Sequence, residues 1–296
     1  MKTLRDALKA EDLTLTAELV LNAGMSTGEI ATQAEQLGHC ADAIQVPCHR
    51  SGQSHVSPIV VGAQLQQLGI DPVVHLDCRD RNRIALQSDL LAAQSLGINN
   101  VLLMKGWPLP ADYTPATDAV FDLNALELIA TAAAIRDRRV KEGEDEAHAH
   151  QFYIGTVAKV FAPPAEWRAK RIAEKVHTGA QFVQLQVCMD TELLRDYMAK
   201  LIAAKLTWQL AVMAGVAVLH SAEAARALRE VIPDAVIPID VEKRLAQARD
   251  AEHEGIAIAA ELLRALVDVP GISAANVMTL GDPALVGEAI KASGLR

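Results

Sequence analysis

The chain has 296 residues, 51% of them hydrophobic, and its 28 basic and 37 acidic side chains give a net charge of -9. This length and apolar content can bury a large core, while the scattered basic residues give no footprint for a nucleic acid or an anionic membrane, so small molecules are the expected partners. The opening MKTLRDALKAEDLTL lacks an apolar signal core, and the longest apolar run, Leu210 to Leu219, is too short to span a bilayer, which predicts a cytoplasmic protein without a membrane contact. Four cysteines without a CxxC pair, Cys40, Cys48, Cys78 and Cys188, read as reduced thiols. A homo-oligomer is compatible with this composition.

In chain order, short β-branched runs recur at 13–20 (LTLTAELV), 41–47 (ADAIQVP), 72–77 (PVVHLD), 99–104 (NNVLLM), 151–157 (QFYIGTV), 181–187 (QFVQLQV), 207–213 (TWQLAVM) and 273–280 (SAANVMTL). Stretches with helical spacing separate them. Leu86, Leu90 and Ala93 share one face before Gly97, where a glycine can close the helix in a left-handed cap. Residues 221–268 have room for two or three helices, and the charged run 136–150 reads as a solvated helix end and loop. No G-x-G-x-x-G follows any strand. Eight strand–helix units in a chain of this size predict a single (β/α)8 TIM barrel, one domain over 1–296, with extra helices between strands seven and eight.

Barrel enzymes work at the carboxyl ends of their strands. The polar residues expected there are Glu18 in strand one, Cys48 and His49 after strand two, Asp77 and Cys78 after strand three, Lys105 after strand four, Thr156 after strand five, Gln184 and Gln186 in strand six, and Asp282 after strand eight. The stretch NNVLLMKGWPLP (99–110) stands apart, because a buried strand ends at Lys105-Gly106 and then presents the large indole of Trp107 beside Pro108.

The run HLDCRDRNRIALQSDLLAAQSLGINNVLLMKG (75–106), with ADAIQVP upstream and VFDLNALELI (120–129) and KVHTGAQFVQLQ (175–186) downstream, resembles the methylenetetrahydrofolate reductase family in order and spacing. The resemblance extends from Leu15 to about Leu280. It implies a barrel that passes a hydride from NADH or NADPH, by way of FAD, to 5,10-methylenetetrahydrofolate. Glu18 matches the family's strand-one glutamate, the proton donor that opens the imidazolidine ring at N10. A carboxylic acid half-buried at an apolar strand end has its charged form disfavoured, which keeps a proton available. Gln186 matches the strand-six glutamine that receives the pterin edge, with one acceptor and two donors for a ring that carries both. Gln184 points the same way by the period of two. His75 matches a family histidine and is expected as an interior or flavin-side hydrogen-bonding residue. With it, Lys105, Gly106, Thr156 and Lys175 are the candidates for the cofactor side; as a helix residue, Lys175 also reads as a plain solvated charge.

Several positions depart from the family pattern on the hydride side. Trp107 stands where the family has an aspartate, VPCHRSG replaces an acidic residue after strand two, and Leu21-Asn22 replaces a proline pair after Glu18. An indole donates only, so it cannot accept the hydrogen bond that an aspartate accepts from a pterin. The expectation is a chain that keeps the folate side, binds FAD poorly and purifies largely without flavin, with Trp107 covering part of the ring-binding space and contacting the substrate. As a lid residue, Trp107 would instead pack on Pro108 and Pro110. A thiolate metal site from Cys48, His49, Cys78 and Cys188 is the weaker competing reading, and no metal ligand is assigned. Besides nicotinamide-dependent reduction, two other functions fit: a tetrahydrofolate-binding methyltransferase component without redox chemistry, and a folate-binding protein without catalysis.

Overall fold

The computed structural model describes residues 3–10, 12–49, 52–141 and 152–296. Its strands are β1 (Thr14–Glu18), β2 (Ala43–Val46), β3 (Pro72–Asp77), β4 (Asn100–Met104), β5 (Tyr153–Ala158), β6 (Phe182–Val187), β7 (Ala211–Ala217) and β8 (Ala274–Met278). All pair in parallel and in chain order, and β8 closes on β1, with Thr14 opposite Ala274 and Thr16 opposite Asn276. The outer helices are α2 (Thr27–Gly38), α3 (Pro58–Gln67), α4 (Arg83–Ser95), α5 (Ala125–Lys141), α6 (Lys170–Thr178), α7 (Thr191–Ala203) and α11 (Ala284–Ser293). Three more, α8 (Ala222–Val231), α9 (Ile239–Gln247) and α10 (Ala251–Val267), lie between β7 and β8, as the helical spacing of 221–268 predicts. Among the described residues no helix is long and apolar enough to cross a membrane.

Alternation along each strand sets two faces. Leu15, Ile44, Leu76, Leu103, Ile154, Val183 and Val277 pack in the layer between sheet and helices. Val73, Leu102, Tyr153, Phe182, Met213 and Ala274 fill the barrel together with Leu4 of the short helix α1 (Leu4–Ala7). The Leu4 amide donates to Asp71 Oδ2 at 2.6 Å, just ahead of β3, so α1 covers the amino end of the barrel and ligands must enter from the other end. The Tyr153 and Phe182 rings stack with centroids 5.1 Å apart, and Phe182 has room only because residue 155 is glycine: a Cβ there would lie 2.1 Å from its ring.

Two boundaries differ from expectation. Strand seven begins at Ala211, four residues later than the run TWQLAVM predicts, because 207–209 form a turn pinned by the buried Leu206 and Leu210 and leave Trp208 exposed. The strand continues instead through the small residues Ala214, Gly215 and Ala217, which a β-propensity reading undervalues. The polar run 136–150 closes α5 with its first residues, and 142–150 lie outside the described residues.

Candidate active site

Above the stacked aromatics the barrel interior becomes polar. Thr16, Glu18, Gln45, His75 and Asn276 are each 4% exposed or less. Asn276 donates to Glu18 Oε2 at 3.0 Å, Thr16 donates to Asn276 Oδ1 at 2.9 Å, and Gln45 donates to Thr16 Oγ at 3.0 Å and to Gln184 Oε1 at 2.7 Å. His75 Nε2 lies 2.6 Å from Gln45 Oε1. The half-burial expected for Glu18 is therefore an underestimate, since the carboxyl ends a hydrogen-bonded interior and not an apolar strand end.

At the ends of β2 and β3 the charges neutralise one another. Arg79 binds Asp80 at 2.6 and 2.8 Å, donates to the carbonyl of His49, and has its guanidinium 4.0 Å from Asp77. Burial raises the Asp77 carboxyl above its usual range, although the Cys48 thiol donates to it. Burial, followed by Asp77, pushes that thiol well up, and burial raises Cys78 and Cys188 to about 12 each. His49 falls to about 4 through burial, then the neighbouring His55 and Arg81. Among the described residues no three His, Cys, Asp or Glu side chains are grouped to hold a metal ion.

The end of β4 explains the glycine before the tryptophan. Gly106 turns with φ +81°, and a Cβ there would meet the Asp77 and Arg79 side chains at 3.2 to 3.3 Å. After that turn the half-buried indole of Trp107 packs against an apolar cluster that includes Val187 and Met189 at the end of β6, Ala217, Leu219 and Met278, and Ala225 and Leu228 of α8. The indole thus joins an apolar cluster formed by other elements of the fold.

Between β4, β5, β6 and the starts of α5 and α6 opens a cleft of about 1100 Å³, lined by Lys105, Gly106, Trp107, Lys175 and Gln186 among others. Six basic side chains face three acidic ones there, in a chain whose net charge is negative. Arg168, Lys170 and Arg171 stand at the start of α6, a helix whose cap residue, Ala169, is left-handed and has no side-chain acceptor for the first amides. Phe161, Trp167 and Tyr197 buttress the loop before it, with ring centroids 5.1 to 5.7 Å apart. Lys175 is no solvated charge: its ammonium donates to the Val157 carbonyl at 2.6 Å, and burial, then Arg171, lowers its pKa to about 8. Gln186 enters the cleft at a bulge in β6, where the register with β7 shifts between Gln184 and Val187. Gly215 permits this, since a Cβ there would lie 2.8 Å from the Leu185 carbonyl.

The predicted residues therefore fall into three groups. Lys105, Gly106, Trp107, Lys175 and Gln186 share the cleft. Glu18, His75 and Gln184 belong to the interior network, with Gln184 engaged by Gln45 below the cleft. Thr156 belongs to neither. It lies inside β5 and not after it, shares the outward face with Ile154, and its hydroxyl is buried without a hydrogen-bond partner against the helix layer. Residue reading missed Thr16, two residues before Glu18 on the same face of β1, the lone polar residues Gln45 of β2 and Asn276 of β8, and the basic start of α6 in WRAKRIAEK.

Residues 4–294 match the family model described as methylenetetrahydrofolate reductase. No curated protein matches the chain in sequence. Among solved structures, an uncharacterized protein from Clostridium thermocellum that binds two copies of 5-methyl-5,6,7,8-tetrahydrofolic acid shares the fold, with a TM-score of 0.68 at 11% identity over 98% of this chain and 96% of that one. A 2,3-dimethylmalate lyase of the PEP mutase/isocitrate lyase superfamily aligns with a TM-score of 0.46 at 12% identity, over 72% and 69% of the two chains.

Proposed function

The chain belongs to the methylenetetrahydrofolate reductase family, and on that premise we propose that it reduces 5,10-methylenetetrahydrofolate to 5-methyltetrahydrofolate with NADH or NADPH. The observation that carries this reading is the buried Glu18 carboxyl at the head of β1, held by Asn276, in a barrel whose cleft receives Gln186. Glu18 protonates N10 of the bound folate. The bond from N10 to the bridging carbon breaks with its electron pair on N10, leaving an iminium at N5, and Glu18 becomes a carboxylate that regains its proton from water. A reduced nicotinamide supplies the hydride that turns the iminium carbon into a methyl group. Gln186 holds the pterin edge through its amide. Glu18 lies on β1, beside β8, and Trp107 and Gln186 both line the cleft from which the pterin ring approaches.

The cleft fits the diphosphate of a nicotinamide dinucleotide, because Arg168, Lys170, Arg171 and Lys175 gather positive charge beside an uncapped helix start. Its fit to the ring of FAD is poor, since the indole of Trp107 lines the cleft where the family pattern has an acidic acceptor, and no step here runs through a flavin. The fold relative's ligand, a methyl-tetrahydrofolate, supports folate in this barrel and also keeps a second reading, methyl transfer without redox chemistry.

The test is turnover of methylenetetrahydrofolate with loss of nicotinamide absorbance, by protein whose visible spectrum has no flavin bands. Glu18→Gln should abolish turnover and leave tetrahydrofolate affinity within about tenfold, because the amide keeps the shape and loses the proton. Nicotinamide that stays reduced while tetrahydrofolate binds would replace reduction with methyl transfer; undiminished turnover in Glu18→Gln would remove the acid.

A further inference from the structure

The hydrogen bonds of the interior network run in one consistent direction toward Glu18. Asn276 Nδ2 donates to Glu18 Oε2 at 3.0 Å, which leaves its Oδ1 turned to Thr16. The single hydroxyl proton of Thr16 goes to that oxygen at 2.9 Å, so Thr16 must receive from Gln45 Nε2 at 3.0 Å. The other amide hydrogen of Gln45 goes to Gln184 Oε1 at 2.7 Å. Gln45 Oε1 is left for His75, whose Nε2 must therefore carry a hydrogen. The chain joins β3, β2, β1 and β8, and all its members from His75 to Glu18 are buried, so water does not compete for these bonds.

We propose that Asn276 is a positioning residue whose amide, locked in one orientation by Thr16 and Gln45, holds Glu18 Oε2 as an acceptor and keeps the transferable proton on Oε1. This rests on the acid role of Glu18 given above. An N–H aimed at Oε2 opposes a proton on the same oxygen and fixes the carboxyl plane. When the Oε1–H bond breaks and the N10–H bond forms, the new carboxylate already has a donor in place, with no reorganisation at that moment. An asparagine free to turn over would present its own oxygen to the anion and oppose the same step. Thr16 opposes this because its hydroxyl, receiving from Gln45, donates to Asn276 Oδ1 at 2.9 Å, well inside its other acceptors, the Ala275 carbonyl at 3.5 Å and Met213 Sδ at 3.6 Å.

Thr16→Val keeps the side-chain shape and removes both hydrogen bonds, whereas Thr16→Ser keeps the hydroxyl. Thr16→Val and Asn276→Ala should lower kcat by about ten- to hundredfold with KM for the folate nearly unchanged, and Thr16→Ser should retain most of the activity. A second measurement needs no turnover: the side-chain amide resonance of Asn276 in ¹⁵N-labelled protein, assigned by its loss in Asn276→Ala. Its hydrogens should exchange slowly with solvent in the native chain and in Thr16→Ser, and much faster in Thr16→Val. If Thr16→Val does not fold, Glu18→Gln serves, because replacing the carboxyl acceptor by an amide should shift the same resonance. Equal kcat loss in Thr16→Ser and Thr16→Val overturns the proposal, as does an amide resonance indifferent to both Thr16→Val and Glu18→Gln. A native chain without turnover refutes the reductase reading alone, and the amide measurement then still decides whether Asn276 is held.

Discussion

Replacing Lys175 by methionine should stabilise the protein while weakening the binding of anions in the cleft. Its pKa of about 8, against an ordinary 10.5, means that burial opposes the ammonium in the folded state. A displacement of this size corresponds to roughly 3 kcal/mol, an order-of-magnitude figure for holding the charge below that pH. Methionine keeps the apolar stem and removes the charge, but it leaves the Val157 carbonyl without the donor that now stands 2.6 Å away, which costs about 1 to 3 kcal/mol. The net gain is about 1 kcal/mol, or a rise in Tm of about 2 to 4 °C for a protein near this size. The sign with pH is fixed by the direction of the shift. Because the folded pKa lies below the unfolded one, the penalty is full below about pH 8 and vanishes as pH rises toward 10.5, so the variant's advantage should fade over that window.

Binding should move the other way. The ammonium has three donors and Val157 takes one, so two remain for a phosphate. Losing a charged donor of this kind weakens binding by about 1.5 to 3 kcal/mol, or about ten- to hundredfold. Native affinity for NADH, followed by fluorescence titration, should fall as pH rises through about 8, and that of the variant should stay flat. Thermal melts across the same range complete the test. A variant that melts lower at neutral pH and binds NADH as tightly as the native chain would refute the reasoning, and Lys175 would then be a packing residue.

Two further substitutions test the ligand side of the cleft. Gln186→Ala should weaken tetrahydrofolate binding by about 1 to 3 kcal/mol, because pterin groups lose their partner, and calorimetry that finds unchanged affinity would contradict the assignment. Trp107→Asp should not produce tight FAD binding, since a cofactor site needs several placed polar groups together and the residues after β2 also differ from the family pattern. An FAD titration that saturates at low concentration in this variant would show that the indole alone excludes the flavin.

The barrel was legible because eight apolar runs alternate with helix-spaced stretches, and this pattern leaves few topologies to consider. Errors arose where composition and structure diverge. Strand β7 is built partly from alanine and glycine, chosen for close approach to the bulged β6 and not for β-propensity. Thr156 lies within β5 and not after it, and the alternation of Tyr153, Gly155 and Val157 against Ile154 and Thr156 turns it toward the helix layer. Gln45 and Asn276 were visible as polar residues in apolar strands, but they join through Thr16, which is 29 residues from one and 260 from the other. Closure of the barrel is what brings them together. The basic residues 168–175 likewise form a ligand surface only after the loop following β5 turns them toward the end of β4.

The same closure explains how the end of β4 can change while the acid side stays intact. Glu18, Thr16 and Asn276 belong to β1 and β8, whereas Gly106 and Trp107 follow β4, across the barrel. A residue after β4 alters the mouth without entering any bond of the chain from His75 to Glu18, because that chain runs below it through β3, β2, β1 and β8. The requirements on Trp107 come from elsewhere: a glycine before it that can turn over Asp77 and Arg79, and an apolar wall at β6, β7 and β8 to receive the ring. Both lie outside the hydrogen-bonded interior. In a barrel whose strands each contribute separately to one face, the interior network and the surface after β4 can therefore diverge independently. On the proposed reading, an indole in place of an acidic residue after β4 bears on which ring the cleft admits, and leaves Glu18 where β1 and β8 hold it.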